Sequence, residues 1–355
     1  MKNKKIMILW GNVPSFLARG IDELLKTDLY AITVIEQFPS NYSNQIYRFD
    51  LKHHNLEYYN LTLCNYKKEW IKEKINEFIP DVVVAPLTIG DHYELLIKYA
   101  ARRNILTIGC TDHYYKNFGI DWKRYIKMKF RSWEHFNYFW VPGYKALETL
   151  IKFGLPRKKI FTGLYSCDSN LFQQIGKSRS YNYESWPKRF LFVGNYSLTK
   201  GVDTLLNAYD EYKRLSKAPW ELVMVGYGEL NDLVVSLNQV HNKGGRSQTE
   251  IADIMRESGC FILPSRRDHW PIVLHEAASS GLPIIATRAC GNVVEIVQEN
   301  YSGLLFEPED TRRLTDLMVK IESVANEMGQ NAALLARRID STNWLRLFTN
   351  LFSDR

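Results

Sequence analysis

The second half of the chain alternates short apolar runs with helical patterns. RFLFVG at 189–194 and ELVMVG at 221–226 are apolar throughout, and each ends in glycine. After the first run, Val202, Leu205 and Leu206 recur at the spacing of one helix face. Three further runs are CFILP at 260–264, LPIIAT at 282–287 and GLLF at 303–306. Apolar strands that take turns with helices predict a parallel sheet covered by helices on both faces.

The first half repeats this scheme. Its strand candidates are KIMILWG at 5–11, YAITVIE at 30–36, DVVVAP at 81–86 and ILTIGC at 105–110. We therefore predict two doubly wound, Rossmann-like α/β domains that face each other across a cleft. Ligands of open parallel sheets bind outside the carboxyl ends of the strands, so the cleft is the expected site.

The same pattern predicts the domain boundaries. Residues 1–171 form the first domain and residues 189–330 the second. Residues 172–188 show no apolar periodicity and are predicted to be a linker. Residues 331–355 are predicted to be a helical tail that packs back toward the first domain.

Composition is that of an ordinary globular protein. The chain has 355 residues, of which 45% are hydrophobic and 24% are charged, so two domains can each bury a core. The five cysteines are scattered without a CxxC pair, which favours reduced thiols over disulfides or a zinc site. No apolar run approaches the ~18 residues of a membrane-spanning helix. The basic and then apolar start is predicted to be a strand and not a signal peptide.

The net charge of +7 is carried by the first half alone. Residues 1–171 contain 25 Lys and Arg against 17 Asp and Glu, whereas the remaining residues contain 21 against 22. This asymmetry indicates an anionic partner for the first half: nucleic acid, an anionic membrane surface or a phosphorylated substrate.

The first chemical motif is FVGNYSLTKGVDTLL at 192–206. Gly194 ends a strand and a helix begins soon after it, an arrangement that directs backbone N–H groups and the helix dipole at an anion. Lys200 could pair with a phosphate there, or it could be a solvated surface lysine. The spacing is not that of a GxxxxGK[ST] phosphate loop, and no GxGxxG follows the first strand. Nucleotide triphosphatases and dinucleotide dehydrogenases therefore lose support.

The second motif is DHWPIVLHEAASSGLP at 268–283. Its proline suits the first turn of a helix, which leaves the amides of Ile272 and Val273 free to receive an anion. Glu276 lies on that helix among apolar residues. A buried carboxylate needs hydrogen-bond donors, which the hydroxyls of a ribose would supply, while Asp268 would face whatever extends past the phosphates. The alternative is a helix-capping acid followed by an acid that bonds to neighbouring backbone.

Taken in order, these motifs resemble a retaining GT-B glycosyltransferase of the family 4 type. The resemblance covers nearly all of 186–323 and rests on FVG…KGVDTLL, LVMVGYGE, FILPSRRD-x7-E, GLPIIAT and VVEIVQENYSGLLFEPED. The family signature is two acids separated by seven residues, here Asp268 and Glu276. The family has Glu at the first position, so Asp268 is one methylene shorter.

The resemblance implies a role for each matching residue. The first acid contacts the donor sugar and the second binds the ribose, and His113 lines the donor sugar, which gives Asp268, Glu276 and His113 as catalytic residues. The family also carries an arginine where this chain has Asn195, so Arg266 is predicted to supply the missing cation, with Arg267 as the fallback. The predicted donor-binding residues are Gly11, Asn12, Gly194, Asn195, Lys200, Gly226, Arg266, Ile272, Val273 and Glu276.

Two further predictions concern the acceptor and the membrane. His92 and Tyr93 follow a strand and are predicted to line the acceptor side, with a plain loop as an equal alternative. Residues 121–136 place basic and aromatic side chains on opposite arcs of a helix. The basic arc, predicted to bind an anionic membrane, consists of Lys123, Arg124, Lys127 and Arg131. The alternative is a helix with a core-facing aromatic side and a solvated basic side.

With these features, the resemblance implies a retaining, metal-independent glycosyltransferase without a cofactor. It would move a hexose from a nucleoside-diphosphate sugar, UDP in preference to GDP, to a glycan or polyprenyl-linked acceptor in the synthesis of bacterial surface polysaccharide such as O-antigen, capsule or exopolysaccharide. The predicted location is the cytoplasm, at the inner face of the membrane, and no nucleic-acid partner is expected. The alternatives are a GT-B sugar-nucleotide epimerase or phosphorylase, and a non-catalytic nucleotide-sugar-binding protein, which Asn195 and Asp268 make conceivable.

Overall fold

A computed structural model describes most of the chain. It describes residues 3–11, 13–36, 52–61, 68–87, 91–114, 133–236, 240–339 and 342–353. The chain divides into two compact units. Unit 1 comprises Met1–Ser166 and Ser341–Arg355, and unit 2 comprises Cys167–Asp340. Among the helices described, none combines the length and apolar character needed to cross a bilayer.

Unit 1 is built on a seven-stranded parallel sheet in the order β3-β2-β1-β4-β5-β6-β7. Its strands are β1 (Lys4–Trp10), β2 (Tyr30–Glu36), β3 (Leu56–Asn60), β4 (Val82–Pro86), β5 (Leu106–Cys110), β6 (Tyr138–Trp140) and β7 (Ile160–Phe161). The central strand β1 pairs with β2 on one side and with β4 on the other, and its inner residues are fully buried. The strand order therefore reverses between β1 and β4.

Helices cover this sheet. They are α1 (Ser15–Leu25), α2 (Lys68–Phe78), α3 (Asp91–Arg102), α4 (Tyr144–Lys152) and, from the far end of the chain, α13 (Thr342–Ser353). The indole of Trp344 in α13 lies directly on Gly20 of α1, and its Nε1 donates a hydrogen bond to the carbonyl of Leu164 at 2.9 Å. The ring also packs against Trp140, with 4.6 Å between ring centroids. The helix α13 is thus part of the core of unit 1.

Unit 2 contains a six-stranded parallel sheet in the order β10-β9-β8-β11-β12-β13. Its strands are β8 (Arg189–Val193), β9 (Glu221–Val225), β10 (Val240–Asn242), β11 (Cys260–Leu263), β12 (Ile284–Thr287) and β13 (Gly303–Phe306). Its helices are α5 (Ser169–Ser178), α6 (Val202–Leu215), α7 (Asn231–Val235), α8 (Gln248–Arg256), α9 (Ile272–Ser279), α10 (Val293–Ile296), α11 (Thr311–Ile321) and α12 (Ala325–Ala336). The strand order reverses between β8 and β11, as it does between β1 and β4 in unit 1.

The predicted linker at 172–188 is wrong. Most of α5 lies within it, and Phe172 and Ile175 of that helix are buried in the core of unit 2. Arg179 follows the helix and donates hydrogen bonds to the carbonyls of Ser280, Ser258 and Met255 at 3.0, 2.9 and 2.5 Å. These carbonyls lie at the C-terminal ends of α8 and α9, so this segment fastens two helices of unit 2 together. The segment at 331–355 is also divided, because α12 belongs to unit 2 and α13 to unit 1.

The described end of the aromatic stretch at 121–136 faces the core. Trp133 and Phe136 are 5% exposed each, and their rings lie 5.9 and 6.1 Å from that of Phe139. These two aromatic side chains therefore pack inside unit 1 and are not available to a membrane. The basic residues Lys123, Arg124, Lys127 and Arg131 lie outside the described residues.

Candidate functional site

The two chemical motifs meet at the switch point of unit 2. The first motif follows β8 and the second follows β11, and these strands are neighbours in the sheet even though the chain visits β9 and β10 between them. In doubly wound sheets the crevice at the carboxyl ends of two such strands is the usual ligand site. The topology thus brings residues about 70 positions apart in the chain to the carboxyl edge of the sheet in unit 2.

Backbone contacts fix the two loops against each other. The amide of Arg266 donates to the carbonyl of Thr199 at 2.8 Å. Gly201, which precedes α6, has φ +69°, and a Cβ placed there would lie 2.1 Å from the carbonyl oxygen of Pro264. Only glycine fits this left-handed position at such a close approach. The position of Lys200 is therefore set by backbone packing.

Lys200 and Asp268 form an ion pair at this point. The ammonium group of Lys200 contacts Oδ2 of Asp268, and the side chains are 29% and 11% exposed. From the sequence, Lys200 was predicted to contact the donor phosphates and Asp268 the donor sugar. In the structure the two side chains are in direct contact.

The loops after β8 and β9 are also in close contact. Gly226 has φ +141°, and a Cβ there would lie 1.9 Å from the carbonyl oxygen of Gly194. The amide of Gly194 in turn donates to the carbonyl of Val225 at 3.0 Å. Asn195, which stands where the family has arginine, is exposed at this edge.

Tyr196 ties this edge to the loop after β10. Its ring is fully buried, and its hydroxyl donates to Oδ1 of Asn242 at 3.0 Å. The same oxygen accepts a hydrogen bond from the amide of Gly244 at 2.9 Å. Tyr196 therefore helps to hold the loop after β10 in place.

We expect Tyr196→Phe to lower the free energy of unfolding by about 1 kcal/mol, the usual worth of one buried neutral hydrogen bond. The ring would keep its packing, and Oδ1 of Asn242 would keep the amide of Gly244. Urea unfolding of the variant and the parent measures the difference, and Tyr183→Phe, at an exposed tyrosine, is the matched control. Equal losses in the two variants would contradict this role.

The start of α9 leaves amides open. Within the described part of the chain, the amides of Ile272 and Val273 donate to no protein acceptor, while the amide of Leu274 bonds to the carbonyl of Pro271. Nδ2 of Asn292 donates to that same carbonyl at 2.8 Å, which anchors the helix start. Open amides at a helix N-terminus favour an anion.

Glu276 lies one turn further along α9 and is 8% exposed. Its Oε1 accepts a hydrogen bond from Nε2 of Gln248, the first residue of α8, at 3.2 Å. The pKa of Glu276 is raised to about 7, mainly by burial; the bond from Gln248 opposes the shift, and the charge of Asp168 acts in the same direction as burial. The carboxyl group therefore takes up a proton more readily than an ordinary glutamate.

Gln248 was not predicted from the sequence. Ser247 and Glu250 form a capping box that places the start of α8 at Gln248. The pattern S-x-x-E is visible in the sequence and indicates the helix start, but nothing in the sequence pairs Gln248 with a carboxylate 28 positions away.

The neighbouring His275 has a structural role. Its Nδ1 accepts from the amide of Cys167 at 3.3 Å, and its Nε2 lies 3.2 Å from the carbonyl of Ala336. A neutral imidazole with the proton on Nε2 satisfies both contacts. The side chain thus ties α9 to the end of α12.

Arg266, predicted to bind the donor phosphates, is engaged in an ion-pair network in this structure. Its guanidinium binds both carboxylate oxygens of Asp203 at 2.7 Å, Oε1 of Glu309 at 2.9 Å and the carbonyl of Leu198. The bond to Asp203 is the main reason that the pKa of Arg266 is raised. A phosphate would have to compete with these acceptors for the guanidinium. Arg267, the fallback, is exposed, with one nitrogen 3.3 Å from Nε2 of His269.

The predicted residues of unit 1 follow its strands. Gly11 comes directly after β1 and has open space around its Cα, whereas Asn12 lies outside the described residues. His113 comes after β5 and is 39% exposed, with Nδ1 3.8 Å from Oδ1 of Asp112. His92 and Tyr93 lie in the first turn of α3, and their side chains are outside the described part.

One group with metal-ligand spacing occurs among the described residues. It consists of Asp28, His53 and His54 on unit 1, whose ligand atoms lie within 4.8 Å of one another. Nδ1 of His53 already accepts a hydrogen bond from the amide of Asn55 at 3.2 Å. None of these residues was predicted as part of the site.

Comparison with solved structures identifies the fold. Over 99% of this chain and 100% of the other, the structure is similar to Anabaena Alr3699/HepE in complex with UDP, with a TM-score of 0.73 at 15% sequence identity. A lipopolysaccharide outer core galactosyltransferase, WaaB, is similar over the same shares with a TM-score of 0.71 at 16% identity. The chain has the GT-B fold. The prediction of two Rossmann-like α/β domains is confirmed.

Sequence comparison adds a family match and two relatives for this GT-B chain. Residues 177–334 match the family model of glycosyl transferases group 1. An uncharacterized glycosyltransferase of Methanocaldococcus jannaschii is 30% identical over 157 residues, which cover 42% of this chain and 43% of that protein. A UDP-Gal:alpha-D-GlcNAc-diphosphoundecaprenol alpha-1,3-galactosyltransferase of Escherichia coli is 32% identical over 117 residues, 31% of this chain and 30% of that protein. The matches thus span less than half of each relative and support a glycosyltransferase.

Proposed function

We propose that this protein is a retaining glycosyltransferase that moves the hexose of a UDP-hexose to a hydroxyl of a glycan or lipid-linked glycan. One observation carries the proposal. At the switch point of unit 2, a lysine, a pair of open helix amides and a buried carboxylate follow neighbouring strands. The lysine and the helix amides can bind a diphosphate. The buried carboxylate, one turn further along the helix, can accept hydrogen bonds from the hydroxyls of a ribose.

The comparisons support the donor and the acceptor class. Similar structures contain UDP, UDP and glucose, or UDP-glucose. The relative from Escherichia coli is named for a UDP-galactose donor and a diphosphoundecaprenol acceptor. We therefore favour UDP over GDP, and a polyprenyl-linked acceptor in surface polysaccharide synthesis.

The proposed chemistry assigns one role to each residue. The acceptor hydroxyl attacks the anomeric carbon from the face that the diphosphate leaves, so one C–O bond forms as the other breaks and the configuration is retained. The leaving diphosphate takes the acceptor proton. Lys200 and the amides of Ile272 and Val273 stabilise the charge that develops on the diphosphate. Asp268 and His113 contact the sugar, and Glu276 binds the ribose, so neither a metal nor a covalent nucleophile has a role in this scheme.

A thermal-shift panel of UDP, GDP, ADP and their sugars tests the donor. A ligand bound only by the folded protein raises the melting temperature, by the equivalent of about 2.7 kcal/mol at 100 times its Kd. We expect UDP and one UDP-sugar to give the largest shifts. If none of the nucleotides shifts the melting temperature, the donor proposal is wrong.

Turnover assays separate the alternatives. A transferase releases UDP only with an acceptor or by slow hydrolysis, and NMR of its product shows the anomeric configuration. An epimerase would give an isomeric UDP-sugar without releasing UDP, and a phosphorylase would require inorganic phosphate. Binding without any of these conversions would indicate a non-catalytic protein. Turnover that persists in EDTA supports the metal-independent scheme, and its loss would contradict it.

We also propose peripheral binding at the inner face of the membrane. The basis is the excess positive charge of residues 1–171 and the basic arc within 121–136. About 1 kcal/mol per Lys or Arg near an anionic surface would make the binding sensitive to salt. Co-sedimentation with anionic vesicles at low and high salt tests it, with neutral vesicles as control. Absence of binding to anionic vesicles at low salt would favour a soluble acceptor.

A further inference from the structure

We propose that Asp268 is an internal counter-ion that holds Lys200 until the donor arrives, and that the donor diphosphate displaces it. This proposal rests on the function proposed above. In the structure the ammonium group of Lys200 contacts Oδ2 of Asp268. An ammonium group has three N–H donors but one positive charge, so a phosphate that binds Lys200 shares that charge with Asp268 and loosens the ion pair.

Backbone contacts place both partners before any ligand binds. Lys200 sits in a loop that is fixed by the bond from Arg266 to Thr199 and by the close approach of Gly201 to Pro264. On the other side, the amide of Gly291 donates to the carbonyl of Asp268 at 2.8 Å. Because the main chain is held at both ends, the ion pair opens through side-chain rotation and needs no loop movement.

Burial makes this ion pair stronger than an ordinary surface pair. Asp268 is 11% exposed and Lys200 29%, so both charges are partly removed from water. Exposed pairs contribute little because water and salt screen them, and that screening weakens as the exposed fraction falls. The free protein therefore holds Lys200 in a partly neutralised state, and a diphosphate of higher charge than a carboxylate is needed to take it over.

The neighbouring cation does not remove this competition. Arg266 is bound by Asp203 and Glu309, so its charge is balanced within its own network. Lys200 differs from Arg266 in its partner. Its counter-ion, Asp268, is itself predicted to contact the donor sugar. When a diphosphate draws Lys200 away, the carboxylate of Asp268 loses its partner and becomes an acceptor for a sugar hydroxyl. Binding of the phosphates is thereby coupled to recognition of the sugar.

The coupling predicts a ligand-specific effect of Asp268→Asn. The variant removes the competing charge, so we expect UDP to bind about 3–10-fold more tightly, the range expected for a pair somewhat stronger than a surface pair. UMP, which lacks the second phosphate, should change much less. Sugar transfer should fall in the same variant, because the sugar loses an ionised acceptor. A purely structural ion pair would instead weaken both nucleotides alike.

Isothermal titration calorimetry with UDP and UMP tests this on the full chain. The set comprises the parent, Asp268→Asn, Asp268→Ala and Lys200→Met, with Asp253→Asn as a control that loses an exposed ion pair to Arg256. The ratio of UDP to UMP affinity should rise in both Asp268 variants. It should fall in Lys200→Met.

The outcomes separate this proposal from the function on which it rests. The first outcome is that the parent binds UDP but the ratio of UDP to UMP affinity is unchanged or lower in the Asp268 variants. That result overturns the counter-ion role of Asp268 and leaves the glycosyltransferase proposal intact. A parent protein that binds neither UDP nor another nucleoside diphosphate overturns the proposed function itself. Loss of UDP binding in Asp268→Asn and in Asp268→Ala also overturns the counter-ion, since removal of a competitor cannot weaken the ligand.

Discussion

Glu276→Gln is expected to weaken UDP binding at pH 8 about tenfold or more and to remove most of the pH dependence of that binding. Hydrogen bonds to a charged group contribute about 1.5–3 kcal/mol, and the amide would retain only part of this. The pKa of Glu276 is about 7 in the ligand-free protein, so the carboxylate that a ribose requires is already dominant at pH 8. Below pH 7 the ionised fraction falls, and the affinity of the parent should weaken by up to tenfold per pH unit.

The sign of this effect differs for stability and for binding. A buried acid with a raised pKa binds its proton more tightly in the folded state than in the unfolded chain. The ordinary pKa of a glutamate is 4.5, and that of Glu276 in the folded protein is about 7. As the pH rises between these two values, Glu276 therefore makes the ligand-free protein less stable. Nucleotide binding should strengthen over the upper part of that range, because the ribose hydroxyls stabilise the ionised form.

Calorimetry at pH 6, 7 and 8 measures this effect. The phosphate of UDP also titrates near pH 6, but the ratio of parent to variant affinity at each pH cancels that contribution. We expect the ratio to rise from pH 6 to pH 8. A constant ratio would mean that Glu276 does not change its ionisation when the nucleotide binds.

Arg179→Met is expected to lower the free energy of unfolding by about 3 kcal/mol. The carbonyl-bearing residues Met255, Ser258 and Ser280 are fully buried. The carbonyl of Met255 keeps a hydrogen bond from the amide of Ser258 at 3.2 Å, so removal of the guanidinium leaves the carbonyls of Ser258 and Ser280 with little access to water. An unsatisfied buried acceptor costs about 1–3 kcal/mol, and the methionine side chain recovers part of that through packing. The guanidinium also lies over the ring of Trp186, 5.1 Å from its centroid, and this contact is lost as well.

Thermal and urea unfolding measure this loss against a matched control. Arg189→Met also removes an arginine from unit 2, but its partners Glu221 and Glu257 are 53% and 71% exposed, so it should cost less than about 1 kcal/mol. A loss of 3 kcal/mol corresponds to about 6–12 °C in melting temperature for a unit of this size. Similar losses in the two variants would contradict the proposed role of Arg179 in joining α8 and α9.

The longer strands could be predicted from the sequence because they are continuous apolar runs. β1, β2, β4, β5, β8 and β9 all coincide with predicted runs. β6, β7 and β10 have three residues or fewer, and β3 has the mixed pattern LEYYN, so none of them gives a periodic signal. The helix α5 was missed for a related reason, since only Phe172 and Ile175 mark its buried face and polar residues surround them.

The candidate site was predicted in its order along the chain but not in its contacts. The strand ends, the helix start and the two acids could be identified because each depends on local sequence. The partners of Arg266 could not, because Asp203 lies 63 positions away and only the packing of α6 beside the loop brings them together. A helical wheel likewise cannot distinguish an aromatic face that meets a membrane from one that meets the core, and Trp133 meets the core.

The division of the chain into units has a consequence for the order of folding. Unit 2 is one continuous segment inserted into unit 1, whose core includes the indole of Trp344 packed on Gly20. A chain that emerges from the ribosome can complete unit 2 from local segments as soon as residue 340 is free. Unit 1 must wait for α13, because that helix belongs to its core and follows unit 2 in the chain. The last step in folding is therefore the completion of unit 1, although most of unit 1 is synthesised before unit 2.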